Sequence, residues 1–271
     1  MATPALHLDR ISVTFSGKSG GPGYCAVKDT TLSIADGEFV SVVGPTGCGK
    51  STLLNIGAGL LKASSGVVSV FGEPMTGLNA KAGYMFQAES LMPWRSALGN
   101  VTAGLQFRGV EATEATRQGE EWLARVGLAG FGNRYPHELS GGMRKRCTLA
   151  QILILDPKIL LMDEPFSALD IQTRQLMENE LLELWNANKK SVVFITHDLE
   201  EAISMSDRVI VLAAGPATHP IGEFTIDLPR PRDVAEIRMT SRFLELHEQI
   251  WRAMKAEVLK GYAQTRNKVA V

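Results

Sequence analysis

The period of the hydrophobic pattern changes repeatedly along this chain, and the changes mark out its elements. Over residues 6–15 apolar and polar positions alternate, with Leu6, Leu8, Ile11, Val13 and Phe15 apolar; a period of two predicts a half-buried strand. Residues 16–23, rich in glycine with one proline, read as a flexible turn. A second strand is expected over 31–34, ending at the Asp36-Gly37 turn, and further short strands over 38–43, 66–72 and 83–86. From about 96 to 154 the texture becomes helical; residues 111–126 begin acidic and carry Trp122, Leu123 and Val126 on one stripe. Strand texture returns in apolar runs over 158–162, 191–196 and 208–212, separated by helical stretches such as 171–187. Continuous apolar runs alternating with helices indicate a parallel sheet covered on both faces. Residues 241–260 form an amphipathic helix whose buried face is expected to hold Phe243, Leu244, Leu246, Ile250, Trp251 and Met254.

Composition narrows the classes. The 271 residues, 45% of them hydrophobic, suffice for one α/β core with a smaller embedded subdomain. A net charge of -1 gives no sign of a nucleic-acid partner, and the one compact basic run, Arg144-Lys145-Arg146, is expected to be a solvated helix face. No apolar stretch reaches the roughly 18 residues that span a bilayer, and the first ten residues lack the basic-then-apolar pattern of a signal peptide. Cys25, Cys48 and Cys147 lie far apart with no C-x-x-C pair, so neither a disulfide framework nor a zinc site is supported. A cytosolic chain is expected.

The most informative stretch is Gly44-Pro45-Thr46-Gly47-Cys48-Gly49-Lys50-Ser51-Thr52, between the strand at 38–43 and a helix opening over 51–56. It is a complete G-x-x-x-x-G-K-[ST] loop in the context that motif requires. Glycines let successive N–H groups curl inward on a triphosphate, and the helix N-terminus adds positive potential. Lys50 is expected to reach the β- and γ-phosphates and the Ser51 hydroxyl to ligate Mg²⁺. Cys48, beside Lys50 at a helix start, is expected to be the most readily alkylated cysteine.

Four further motifs follow in order: Met85-Phe86-Gln87; Leu139-Ser140-Gly141-Gly142 at an expected helix start; an apolar strand ending in Asp163-Glu164, followed at once by Ser167-Ala168-Leu169-Asp170; and Phe194-Ile195-Thr196-His197-Asp198. Together with the phosphate loop these resemble the ATP-binding subunit of ABC transporters, over about residues 6–212. The resemblance implies a P-loop NTPase of RecA-like α/β fold with a parallel-sheet core, an N-terminal antiparallel β subdomain and an inserted α-helical subdomain. Within one ABC ATPase domain over 1–271, it implies a core over 1–95 and 156–215, the helical insert over 96–155 and a tail helix over 216–271. Asp163 would join Ser51 around Mg²⁺, Gln87 would touch Mg²⁺ or the attacking water, and Glu164 would act as general base. His197 would contact the γ-phosphate of ATP. Ser140, Gly141 and Gly142, at a helix start, would bind the γ-phosphate held by a second copy, in a head-to-tail dimer. An aromatic residue would stack on adenine; Phe15 is the choice by position and Tyr24 the rival. Met143 departs from the glutamine common there, as does Lys145 from the glutamine of many importers.

Leu91-Met92-Pro93-Trp94-Arg95-Ser96 through Asn100-Val101, and the tail segment Asp227-Leu228-Pro229-Arg230-Pro231-Arg232-Asp233, are similar to importers of nitrate, taurine and aliphatic sulfonates. The implied partners are a transmembrane permease, docking near Trp94, and indirectly a solute-binding protein, with the chain peripheral on the cytoplasmic face of the membrane. A soluble ABC ATPase with a non-transport role would use the same ATP chemistry. A scaffold would commonly lack the base or the lysine, and Lys50, Glu164 and His197 are all present.

Overall fold

The computed structural model describes the backbone of residues 3–16 and 23–269, with side chains up to residue 261. Of the glycine-rich turn expected over 16–23, residues 17–22 lie outside the described residues. Two sheets organise the fold. The first, in the order β2-β1-β4-β5, is antiparallel and built from β1 (Leu6–Phe15), β2 (Tyr24–Ile34), β4 (Ser65–Val70) and β5 (Glu73–Pro74). Strand β2 is longer than its sequence pattern suggests. Its polar Lys28-Asp29 stretch sits at register shifts in the β1–β2 pair, with Asp29 at φ 44°, and such irregularities hide a period of two.

The second sheet has the order β10-β9-β3-β8-β7-β6, made of β3 (Phe39–Val43), β6 (Ala82–Met85), β7 (Ile159–Asp163), β8 (Ser191–Ile195), β9 (Arg208–Leu212) and β10 (Pro220–Thr225). Pairs β3–β8, β3–β9, β6–β7 and β7–β8 are parallel, as expected, and β10 adds an antiparallel edge. That edge strand went unread because Pro220 and Gly222 argue against a strand; proline at the first residue of an edge is nonetheless compatible with the ladder. Every residue of β3, β7 and β8 is buried. Val40, Val42, Ile159, Leu161, Val193 and Ile195 pack toward the antiparallel sheet and α1 (Lys50–Gly57). Phe39, Leu160, Met162, Val192 and Phe194 pack instead with Met177, Leu181 and Trp185 of α5 (Ile171–Asn188). Each such side chain contributes roughly 1.5–3 kcal/mol on burial.

Between β6 and β7 lies the helical insert: α2 (Ala97–Phe107), α3 (Ala112–Arg125), a short 3₁₀ turn and α4 (Gly141–Leu153), around their own core of Val101, Leu123, Val126, Leu139 and Cys147. After β8 comes α6 (Leu199–Met205), too short for its period to register in the sequence. The region after residue 216 is more than the single helix expected: β10 is followed by α7 (Val234–Ile237) and α8 (Ser241–Val269). In α8, Phe243, Leu246, Ile250 and Met254 are buried, but Leu244 is 60% and Trp251 41% exposed. Each follows a buried residue directly, and consecutive helical positions do not face the same way.

Arg232 holds the segment before α7 in place. It is buried, and its guanidinium donates to the carbonyls of Ser204 (3.2 Å), Ser206 (2.7 Å) and Leu228 (2.9 Å), with longer contacts to Ile203, Ile226 and Pro229. Arg232→Ala strands these carbonyls without a donor and is expected to cost about 3 kcal/mol, read as a lowered denaturant midpoint; a midpoint within experimental scatter of the parent would refute this role.

Candidate functional site

Strand order assembles the site. In the order β3, β8, β7, β6 four of the parallel strands are neighbours, so the residues following each emerge side by side at the carboxyl edge, where open α/β sheets bind ligands. From β3 comes the phosphate loop. Gly44 is buried at its base, Thr46 and Gly47 form an exposed crest, and Ser51 is exposed with Thr52 half-buried at the start of α1. Gly49 is the N-cap of α1 at φ 108°, and a Cβ there would meet Thr218 Cγ2 at 3.1 Å; only glycine fits. Lys50 is buried and folds back over the loop, its Nζ donating to the carbonyls of Gly44 (2.9 Å) and Pro45 (3.1 Å). These contacts hold the ammonium where a phosphate oxygen could replace a carbonyl.

The ends of β6, β7 and β8 bring their side chains together. Glu164 Oε2 accepts from Gln87 Nε2 at 3.2 Å and lies 3.1 Å from His197 Nδ1. One carboxylate oxygen thus joins three segments of the chain. Glu164 adopts φ 43°, and its N–H donates to the Ile195 carbonyl at 2.9 Å; left-handed backbone in a non-glycine residue stores strain, a pattern found at functional sites. Next to it Asp163 is buried, its Oδ1 has no hydrogen-bond partner, and the Ser51 side chain lies near its carboxyl. Burial raises the Asp163 pKa, while Ser51 pulls it down, the neighbouring Glu164 raises it and Lys50 lowers it. An orphaned buried carboxylate oxygen beside a hydroxyl fits a divalent cation. The described residues hold no cluster of three or more His, Cys, Asp or Glu that could bind a metal alone; water and phosphate oxygens would complete the shell.

Phe15 and Tyr24 sit directly opposite one another across the β1–β2 pair, both partly exposed. The Tyr24 hydroxyl lies in the corner formed by Gly215 and the Gly47 carbonyl, so Tyr24 approaches the phosphate loop and is at least as well placed as Phe15 to stack on a base. Ser140 is the exposed N-cap of α4, its hydroxyl accepting from Met143 N–H at 3.3 Å, with Gly141 and Gly142 half-buried behind it. This helix packs on α2, α3, α5 and β6, and among the described residues no hydrogen bond ties 140–142 to the phosphate loop.

Two expectations are corrected. Cys48 is only 1% exposed, tucked beneath the loop, and desolvation raises its pKa despite Lys50 nearby; burial outweighs the helix start. The run Arg144-Lys145-Arg146 is not a solvated face. Lys145 is buried, with burial lowering its pKa, and its Nζ donates to the Gln87 carbonyl at 3.2 Å. Arg144 pairs with Glu89, and Arg146 with Glu180 at 3.4 Å. The basic run therefore latches α4 to the Gln87–Glu89 stretch and α5. Its only sequence signal was Lys145 standing where a glutamine is usual.

Beside this latch a groove of about 540 Å³ opens between the core and the insert, lined among others by Phe86, Ser90, Met92, Phe107, Arg108 and Gln151. Trp94 is 73% exposed and is not among its lining residues.

Comparison with known proteins agrees with this geometry. The profile of the ABC transporter family matches residues 27–167. An uncharacterized ABC transporter ATP-binding protein of Methanocaldococcus jannaschii is 46% identical over 237 residues, covering 87% of this chain and 86% of its own. A taurine import ATP-binding protein of Yersinia pestis is 44% identical over 194 residues, 72% of this chain and 76% of its own; one of Pelagibacter ubique is 39% identical over 83% of this chain and 86% of its own. A dimeric ATP-binding cassette in a post-hydrolysis state with ADP and Pi superposes with a TM-score of 0.73 at 32% identity, over 83% of this chain and 100% of that one.

Burial predicts the order of thiol labelling. Cys25 is half-buried, whereas Cys48 and Cys147 are buried and burial raises both their pKa values, that of Cys147 to about 12. Cys25 is expected to be alkylated first, and the other two only on unfolding; mass-spectrometric mapping that finds Cys48 modified first in native protein would contradict this.

Proposed function

The chain belongs to the ABC transporter family and is an ATPase, and we propose that it drives the import of taurine or a similar small solute, such as another sulfonate or nitrate, through a transmembrane permease. It would sit peripherally on the cytoplasmic face of the membrane. No helix among the described residues is long and apolar enough to cross a bilayer, in keeping with a separate permease subunit. The observation that carries the reading is the single Glu164 oxygen shared by Gln87 and His197, beside Asp163, Ser51 and the loop lysine. The relatives named for taurine import support the solute class, as do the similar stretch at 91–101 and the tail segment at 227–233.

The contacts support the following roles. Lys50 exchanges a loop carbonyl for a phosphate oxygen and offsets its charge. Asp163 and Ser51, with Gln87, would hold Mg²⁺, which supplies charge neutralisation on the phosphates. Glu164 takes a proton from the water whose oxygen attacks the γ-phosphorus as the bond to the β–γ bridging oxygen breaks and ADP leaves. His197 would donate to the Glu164 carboxylate through Nδ1–H and, as imidazolium, would also donate Nε2–H to the γ-phosphate. Ser140 stands exposed on the insert with Gly141 and Gly142 half-buried behind it; like the dimeric cassette neighbour, two copies packed head to tail would each present this turn to the other's nucleotide. Adenine stacks on the platform of Tyr24 and Phe15. The core over 1–95 and 156–215, the insert over 96–155 and the tail over 216–271 would move as parts of this one machine.

Glu164→Gln keeps the shape but cannot accept the proton; phosphate release is expected to fall on the order of a hundredfold or more, with ATP binding by calorimetry retained. Turnover close to the parent would remove Glu164 from the base role. The groove lined by Phe86, Met92 and Phe107 is the proposed permease seat, with Trp94 at its outer approach. Phe107, 77% exposed, offers a large apolar anchor. Phe107→Asp is expected to abolish co-purification with a polytopic membrane protein while the isolated subunit still binds ATP. Full recovery of that partner would place the seat elsewhere, and failure of the parent protein to recover any membrane partner would favour a soluble ATPase.

A further inference from the structure

Behind His197 lies a buried cluster of charges that the hydrolytic roles do not use. Glu178 on α5 is completely buried, and Glu201 on α6 is 3% exposed. The Glu178 and Glu201 carboxyls lie within hydrogen-bonding reach of each other, yet Oε1 of each has no N–H or O–H donor of its own. Two carboxylates are acceptors only, so such a bond exists only if a proton lies between them. The remaining oxygens are committed. Glu178 Oε2 accepts from Arg238 at 3.1 Å, and Glu201 Oε2 accepts from the Thr196 hydroxyl. Thr196 Oγ1 in turn accepts from the N–H of Asp198 at 3.0 Å. The residues on either side of His197 are therefore tied to one another and to Glu201.

The surrounding charges decide which acid keeps the proton. Facing Glu201 are Arg174 of α5, with Nε 3.7 Å from Oε1, and Asp198 at the start of α6. Arg174 also pairs with Asp198 at 3.5 Å and donates to the Leu169 carbonyl at 3.1 Å. Facing Glu178 are Arg238, Glu201 and Asp198; Arg238 also reaches Glu200 at 3.4 Å and the Ser204 hydroxyl at 3.2 Å. Burial, then the nearby Glu201 charge, pushes the Glu178 carboxyl up to about 8. Arg238 alone pulls Glu178 back toward its charged form. Burial and the Asp198 charge also raise Glu201, but the Thr196 hydroxyl, Arg174 and the Glu178 carboxyl itself favour its charged form, so Glu178 is the donor in the arrangement proposed below.

We propose that Glu178 and Glu201 share a single proton and act together as positioning residues for the catalytic turn, Glu178 donating to the Glu201 carboxylate, which fixes Thr196 and hence His197 against Glu164. This rests on the role of His197 proposed above. Loss of the proton sets two carboxylates face to face, and like-charge repulsion loosens the turn. The folded protein also retains a proton that the unfolded chain has released, so stability falls as pH rises from the ordinary carboxylate range through about 8.

The test uses the full chain. Infrared spectra of the parent protein are expected to show a protonated carboxyl band at neutral pH that disappears on alkaline titration and is absent from Glu178→Gln. In ATPase assays across pH, Glu178→Gln, whose amide donates at every pH, is expected to move the alkaline fall in kcat to higher pH. Glu201→Gln, which cannot hold Arg174 electrostatically, is expected to lower kcat about tenfold or more with little change in KM. Should the amide at 178 not fold, Glu178→Met, neutral and of similar volume, assigns the band. A parent spectrum without a protonated carboxyl at neutral pH overturns the shared proton whatever His197 does. Coincident pH profiles for parent and Glu178→Gln, with the band present, overturn the positioning role alone.

Discussion

Everything in the site depends on four parallel strands being neighbours with their carboxyl ends level. With β3, β8, β7 and β6 adjacent, the phosphate loop, the Asp163-Glu164 pair, His197 and Gln87 emerge from one edge although they are up to 153 residues apart (from 44 to 197) in the chain. Parallel pairing requires a crossover between strands, and the helices that cover the sheet make those crossovers. Burial on both faces then fixes register, because a one-residue slip in β7 would exchange Leu161, facing the α1 side, with Leu160 or Met162. The register that the core demands is the one that puts Asp163 beside Ser51 and Glu164 beside His197. The left-handed Glu164 is tolerated because the sheet restrains it, through its N–H to the Ile195 carbonyl.

The stretch after β6 connects this edge with the insert. Gln87 uses its side chain toward Glu164 and its carbonyl toward Lys145 of α4. Glu89, two residues on, holds Arg144. Phe86, Ser90 and Met92, interleaved with these, line the groove. One short segment therefore touches the Glu164 carboxylate, the helix that begins at Ser140 and the proposed permease seat. A change at the phosphates has only a few residues to traverse to reach either. Lys145 makes this connection firmer than a neutral amide would, since a buried ammonium without its acceptor is more costly.

The features legible in the sequence were those dictated by local chemistry or strict periodicity. A glycine-lysine loop between an apolar strand and a helix, or an apolar run ending in two acids, admits few structural settings, and these were read correctly as α/β fold and family. What stayed hidden depends on neighbours distant in sequence. Cys48 looked activated beside Lys50, yet it lies under the loop against Leu212 and Thr218, and only the fold reveals that burial. Three consecutive basic residues looked solvated until Gln87, Glu89 and Glu180 supplied partners. Position in the sequence favours Phe15 over Tyr24, but the two face each other across the β1–β2 pair, and the Tyr24 hydroxyl is the one near the phosphate loop. Glu178 and Glu201 had no signal at all: an acid on an amphipathic helix ordinarily faces water.

The tail makes the same point from the other side of the site. Arg232 ties it to the end of α6, and α8 then runs back over the sheet, where Glu257 accepts from the Ala214 N–H at 2.8 Å. Earlier in α8, His247, Trp251 and Met254 wall a cleft with His197, Asp198 and Glu200. Later, Gly261 comes close enough to Pro45 that a Cβ on it would sit 3.4 Å from the Pro45 Cβ. One helix therefore lies against both the turn that carries the histidine and the loop that carries the lysine. A helix is stiff over this length, so the two loops cannot separate without breaking contacts on α8. The tail lies outside the stretch matched by the family profile, yet it touches both loops whose spacing the β3–β8 pairing sets.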